Sequence, residues 1–199
     1  MLQNTNNNYS LSFTGSALRR PESVILARHY YGSGDWYKTR KAAIDDNLLV
    51  ISSLASRQRI ASELLKRLTN LSDTENCYLI NTAPSEQNLI LWIAVCRTYQ
   101  FIDDFSREVL AKRLTSSSNV ITTGVFESFF DEQAAIHPEL SKISEQTHSR
   151  LRRQLKQMMY EAGLINDNGR VLMVYLPLEL IALLDQAGRN ETTIFPTKR

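Results

Sequence analysis

Arg150-Leu151-Arg152-Arg153-Gln154-Leu155-Lys156 sets four cations within seven residues, beside an apolar stripe. Leu151, Leu155, Met158 and Met159 recur at i, i+4, i+7 and i+8, the spacing of one buried helical face. Gly163 follows where the stripe stops, and glycine accepts the left-handed conformation that closes a helix. The stretch therefore predicts a helix to Ala162 that packs on a core and still presents donors to its surroundings. Two readings of those donors stand side by side. One is a solvated basic face, which is what most charge runs are; the other is a surface that touches nucleic acid.

Helical grammar continues on the N-terminal side. Pro21 suits a first helical position, and Gly32-Ser33-Gly34 closes the segment that it opens. Asp35 is placed to cap a second helix, and a third runs from about Ser53 to Leu68 with Ile60, Leu64 and Leu68 on one stripe. Ser72-Asp73-Thr74-Glu75 reads as a capping box. Ser85 is read as the cap of the most hydrophobic helix, Glu86 to about Arg97, whose apolar residues surround nearly the whole axis. A sixth helix carries Phe101, Ile102, Phe105, Val109 and Leu110. Thr123 is read as the cap of a seventh, with Phe126, Phe129 and Phe130, and His137-Pro138 breaks the chain and starts another.

Beyond Gly163 the pattern changes. Asn168-Gly169 lies between apolar flanks, the strongest short hairpin signal, and Pro177 then opens a helix through Leu184 that Gly188 ends. Helix, hairpin and helix together form the tail of a winged-helix module; two helices and a turn is the plainer alternative. The expected fold is mainly α, a multi-helix bundle with a winged-helix-like module and one short β-hairpin.

The net charge of +2 hides segregation. Residues 1–71 hold 10 Lys/Arg against 5 Asp/Glu, residues 72–149 hold 5 against 11, and residues 150–199 hold 8 against 5. Two basic lobes thus flank an acidic middle, and segregated charge steers anionic partners better than net charge does. The expected organisation is a disordered tail at 1–10, a basic helical lobe at 11–71, an acidic helical core at 72–145, a basic helix, hairpin and terminal helix at 146–188, and a flexible tail at 189–199.

Several function classes are disfavoured. Cys77 and Cys96 sit among apolar neighbours, which suggests reduced core thiols rather than a secreted disulfide framework. No signal peptide is visible, and the longest apolar run, Leu89 to Cys96, is far short of the roughly 20 residues of a membrane helix. A cytoplasmic protein without membrane attachment is expected. His29, His137 and His148 are far apart, and neither Cys-x-x-Cys nor a His pair at i, i+4 occurs, so no metal and no other cofactor is expected. Gly32-Ser33-Gly34 lacks both glycine fingerprints of nucleotide sites. Asp45-Asp46 and Asp103-Asp104 diverge by about 100° on a helix and do not aim at one point. No catalytic residues are assigned and no enzyme is expected.

The basic features remain. Arg57 and Arg59 stand near the start of the third helix, where a bound phosphate turns an unfavourable cation–dipole contact into a favourable one; alternatively the helix begins a turn earlier, near Ser53, and both are simply exposed. Lys66 and Arg67 suit the dipole at the other end of that helix. Tyr30, Tyr31, Trp36 and Tyr37 lie among Arg28, Lys38, Arg40 and Lys41; packing of two helices is favoured over base stacking.

Leu11-Ser12-Phe13-Thr14-Gly15-Ser16-Ala17-Leu18 with Glu22-Ser23 resembles the opening of the BrxA family, small components of bacteriophage exclusion (BREX) defence systems. The resemblance continues through Leu91-Trp92-Ile93-Ala94-Val95-Cys96-Arg97 with Tyr99, Phe101 and Ile102. It returns at Phe126, Phe129-Phe130, Leu151-Arg152, Leu155, Met158 and Glu161-Ala162-Gly163-Leu164, and covers roughly residues 9–185. It implies a mostly helical cytosolic protein with affinity for DNA, working beside a methyltransferase, an ATPase and other defence components. It carries over no catalytic residue. The expected function is thus a non-enzymatic accessory protein that contacts the backbone of double-stranded DNA through Arg150, Arg153, Lys156, Arg57 and Arg59. The alternative is a protein–protein adaptor of the defence complex.

Overall fold

Helix starts in this chain follow its capping side chains. The computed structural model describes residue 9, residues 11–186 and residues 188–198, without the side chains of residues 14 and 15. A 3-10 turn, Ser12–Gly15, precedes α1 (Arg20–Ser33), which ends on Gly34 at φ 64°. Asp35 caps α2 (Trp36–Ile44) by accepting from the amides of Tyr37 and Lys38. Ser53 caps α3 (Leu54–Leu68), and Ser72 with Glu75 completes a reciprocal capping box on α4 (Asp73–Asn81). The central helix α5 (Pro84–Thr98) has Ala83 at its cap position, two residues before the expected cap Ser85. Pro84 takes its first position, where a missing N–H costs nothing, and Ser85 is already helical.

The expected sixth helix is interrupted. α6 (Gln100–Phe105) passes through a π turn (Ser106–Leu110) into α7 (Ala111–Arg113). Ser106 Oγ donates back to the Ile102 carbonyl at 2.6 Å, inside the turn where the ladder widens. α8 (Thr123–Ile136) is capped by Thr122 rather than Thr123. Past His137 the chain makes only a 3-10 turn, Leu140–Lys142, before α9 (Glu145–Glu161) and α10 (Leu178–Gln186).

α5 is the axis of the core. Its residues from Leu89 to Cys96 are all buried, and it packs against α3, α4, α6 and α9. One contiguous set of buried side chains runs from Tyr9 to Phe195, so the basic and acidic segments share a core. Two buried arginines tie distant pieces to it. Arg67 donates to the Ala17 and Ser16 carbonyls at 2.7 and 2.9 Å and pairs with Glu63, whose carboxylate also accepts from Tyr99. Arg97 uses all five of its N–H groups: bidentate to Glu75 at 2.6–2.7 Å, to Glu191 through two nitrogens at 2.7 Å, and to the Asn70 carbonyl at 2.9 Å.

Three expectations change. The Asn166–Gly169 turn forms, and Leu172 N donates to the Leu164 carbonyl at 2.9 Å, but only isolated bridges, Ile165–Val171 and Val120–Arg170, occur among the described residues, and no strand. Asn166 N also donates to the Arg170 carbonyl at 3.0 Å, so the pairing across the turn is short, and the outward-facing Gly169 carbonyl and Val171 amide pair with the segment before α8. Within the expected C-terminal tail, Glu191, Ile194 and Phe195 are buried, held by Arg97 and by a 3-10 turn, Glu191–Ile194, that packs on the π turn. Of the expected N-terminal tail, Tyr9 is buried, donates to Asp104 at 2.7 Å and stacks on His137; residues 1–8 and 10 lie outside the described residues.

Candidate nucleic-acid interface

α9 has three faces. Leu151, Leu155, Met158 and Met159 point into the core and are at most 1% exposed. Arg150, Arg153 and Lys156 are exposed. Arg152 is drawn aside to Glu127 of α8, whose second oxygen lies 3.2 Å from His148 Nε2, so its charge is matched within the fold.

The segment before α8 gathers further cations. Asn119 accepts from Arg170 Nη1 at 3.2 Å and, through its carbonyl, from Val171 N at 2.8 Å. Ile121 N donates to the Gly169 carbonyl at 2.8 Å. Arg113 Nε reaches the Val120 carbonyl from the end of α7 at 3.4 Å. Gly169 has φ +76°, and a Cβ there would stand 2.8 Å from the Ile121 carbonyl oxygen, so only glycine permits this approach. Asp167, beside Tyr160, pushes the phenol's pKa up by hydrogen bonding and by its charge.

Two cavities flank the start of α8. One, of about 410 Å³, lies between residues 120–123 and α9, with Arg152, Arg153, Lys156 and Asn168 on its walls. The other, of about 580 Å³, is lined by Lys112, Arg113, Thr122 and Gly124, with Glu108 and Glu132 as opposing charges. Cations from α7 and α9 therefore flank the positive end of the α8 dipole, and Arg170, just past the Asn166–Gly169 turn, joins them at Asn119. A third cavity, of about 620 Å³, joins Arg19 and Arg20 to Gln154 of α9 and so brings the N-terminal lobe beside this helix.

The sequence-selected residues divide. Arg153 and Lys156 share a cavity wall, and Arg150 is exposed on the same helix. Arg57 is half-buried and donates to the Ile44 carbonyl at 2.9 Å, tying the last turn of α2 to α3. Because Ser53 caps α3, the Arg57 amide is already paired with the Ser53 carbonyl at 2.9 Å and Arg59 lies in the second turn, exposed. Lys112, Arg113 and Arg170 escaped sequence reasoning. The first two lie in the acidic segment, and Arg170 is a single cation after a turn; only the fold unites them with α9. Tyr30 stacks on Trp36 at 3.8 Å, as packing requires, whereas Tyr31 and Tyr37 are exposed.

Burial pushes the Cys96 thiol's pKa up, against nucleophilic use. No group of residues suited to a metal ion occurs among the described residues, and no helix there is long and apolar enough to cross a membrane.

Comparison with known proteins places the chain. The BrxA family profile matches residues 7–188. The BREX protein BrxA of Escherichia coli O9:H4 (strain HS) is 22% identical over 179 residues, 89% of this chain and 84% of that protein. The BREX protein BrxA of Bacillus cereus (strain H3081.97) is 21% identical over 136 residues, 66% of each. The crystal structure of an uncharacterized protein from Magnetospirillum magneticum superposes with a TM-score of 0.83 at 16% identity, over 95% of this chain and 98% of that one, which shows a shared fold.

Proposed function

Because the chain belongs to the BrxA family, we propose that it is a non-catalytic accessory protein of BREX phage defence that holds duplex DNA by its phosphate backbone. The face around the start of α8 and the outer side of α9 makes the contact. One observation carries this reading: Lys112, Arg113, Arg152, Arg153, Lys156 and Arg170, from three separate segments, border the same short stretch of chain. Arg152 and Arg113 are half-buried and engaged within the fold, which leaves Lys112, Arg153, Lys156 and Arg170, the last exposed beyond its single bond to Asn119; Arg150, exposed on the same row of α9 side chains, completes a contact set of five. Arg57 stays outside it, since its guanidinium holds the end of α2. Such contacts position a protein on DNA and read no sequence.

The test is a salt titration of a fluorescent duplex by anisotropy. Five phosphate contacts give a slope of log K against log salt of about −4.5, hence roughly a 500-fold loss of affinity from 50 to 200 mM salt. Arg153→Gln with Lys156→Gln reduces the slope to about −2.7. Absence of binding at low salt refutes the reading; an unchanged slope in the double variant refutes the face.

A second reading, an adaptor that docks another defence component, is favoured by one feature. Leu172, Met173, Tyr175 and Leu178 are all exposed within one short stretch, with Tyr175 78% and Leu178 85% accessible. Exposed apolar stretches of this kind mark protein contacts. Co-purification that survives nuclease, together with negligible DNA affinity, selects it over the first reading.

A further inference from the structure

The cavity between residues 120–123 and α9 differs in kind from a backbone-contact surface. Its volume of about 410 Å³ lies within the roughly 300–1,000 Å³ typical of small-molecule sites. Phe105, Phe126, Leu155 and Met159, all buried, supply its apolar lining. Arg153 and Lys156 are exposed at its edge, while Arg152 is matched by Glu127. Thr122, Thr123 and Asn168 add hydroxyl and amide groups, and all three are exposed.

We propose that this cavity takes a nucleoside 5′-phosphate. The phosphate lies between Arg153 and Lys156, two exposed cations that adjoin the apolar lining. Guanidinium and ammonium donors to phosphate make the stronger, charge-assisted class of hydrogen bond. The base enters over the apolar lining, and its polar edge meets Thr122, Thr123 and Asn168. An alkyl chain with an anionic head matches the charge and the lining but makes no use of the Thr123 hydroxyl and the Asn168 amide at the cavity edge, which the polar edge of a base can hydrogen-bond. The same chemistry is available from two sources: a free nucleotide, or one nucleotide unstacked from a DNA strand, as in proteins that hold extruded bases. For the strand source the inference rests on the duplex-binding reading above; for the free nucleotide it stands without it.

Isothermal titration of the full chain with dAMP tests the site, with deoxyadenosine, inorganic phosphate and decanoate in parallel. The expected result is saturable dAMP binding, with each other ligand at least about tenfold weaker. Asn168→Trp and Thr123→Trp fill the cavity without removing a cation. Each is expected to abolish dAMP binding although every cation of the contact set stays in place. Thermal melting confirms folding of each variant, and either one suffices. A duplex with one unpaired adenine identifies the source. Competition with dAMP, and a preference over the paired duplex that both variants lose, assigns a strand nucleotide; no such preference assigns the free nucleotide. Phosphate binding as tightly as dAMP, decanoate displacing dAMP, absence of dAMP binding, or normal dAMP binding by a folded tryptophan variant each overturns the proposal. Failure of paired-duplex binding with dAMP binding intact removes only the duplex reading.

Discussion

Arg97→Met isolates the buried charge cluster that fastens the C-terminal segment to the core. The Arg97 side chain is 7% exposed and lies between two carboxylates that are more deeply buried still, Glu75 and Glu191. Removing the cation leaves both carboxylates without their shared partner, and breaking a buried pair in this way costs about 3–5 kcal/mol. For a chain of this size 1 kcal/mol moves Tm by about 2–4 °C, so the drop at pH 7 is about 6–20 °C. The pH dependence distinguishes electrostatics from packing. In the native protein burial raises the Glu75 pKa, but the hydrogen bonds and charge of Arg97, with the Ser72 amide, outweigh it and hold the group below its ordinary value. A depressed folded-state pKa contributes stability above the unfolded value of about 4.3 that is lost as pH falls through the folded one. In Arg97→Met the burial effect is opposed only by Ser72, and the nearby Glu191 carboxylate adds repulsion, so the folded-state pKa of Glu75 rises above about 4.3. That penalty is full at neutral pH and disappears as pH falls through the raised value. Acid therefore destabilises the native protein while relieving the variant. Differential scanning calorimetry at pH 7 and pH 4.5 reads the two Tm values. The gap narrows if the cluster acts through charge; a gap of equal size at both pH values, or under about 2 °C at pH 7, refutes the reasoning.

Gly169→Ala adds a Cβ 2.8 Å from the Ile121 carbonyl oxygen at a φ of +76°, so it is expected to lower Tm and weaken duplex binding by displacing the Asn166–Gly169 turn from α8; an unchanged Tm contradicts the close approach. Truncation after Gly188 exposes the sites of Ile194 and Phe195, each worth roughly 1.5–3 kcal/mol when buried, and removes Glu191 from Arg97. A denaturant midpoint equal to the full chain's shows that the segment contributes nothing. Lys112→Gln with Arg170→Gln removes two exposed cations that no sequence pattern selected, so the salt slope of duplex binding falls by up to about 1.8 with Tm unchanged; an intact slope confines the contact to α9.

What the chain's sequence reveals about itself depends on the range of the interactions involved. Caps and stripes are local, and Asp35, Ser53, the Ser72–Glu75 box and the Leu151–Met159 stripe all stand where local rules put them. Ser85 and Thr123 show how such rules slip, since a proline or a second threonine one residue earlier claims the helix start. The Asn168-Gly169 turn keeps its tightness but only an isolated bridge forms beside it, and its outward-facing Gly169 carbonyl and Val171 amide pair with Ile121 and Asn119, partners that local sequence rules do not reveal. Charge was the harder property to read. Counting by segment assigned residues 72–149 to an acidic middle, yet Lys112 and Arg113 from that segment join Arg153, Lys156 and Arg170 around the start of α8. The same count hid that Arg97 and Arg67, also counted as basic charge, are buried against carboxylates and backbone carbonyls and contribute nothing to the outer potential. Arg57 fails for a related reason, since the Ile44 carbonyl lies within its reach only after α2 folds back on α3. A cation's availability thus follows from its exposure together with the acceptors the fold supplies: Arg170 stays exposed beyond its single bond to Asn119, whereas Arg57 is half-buried on the Ile44 carbonyl. By that criterion Arg150, Arg153 and Lys156 stay directed outward while Arg152, in their midst, turns to Glu127.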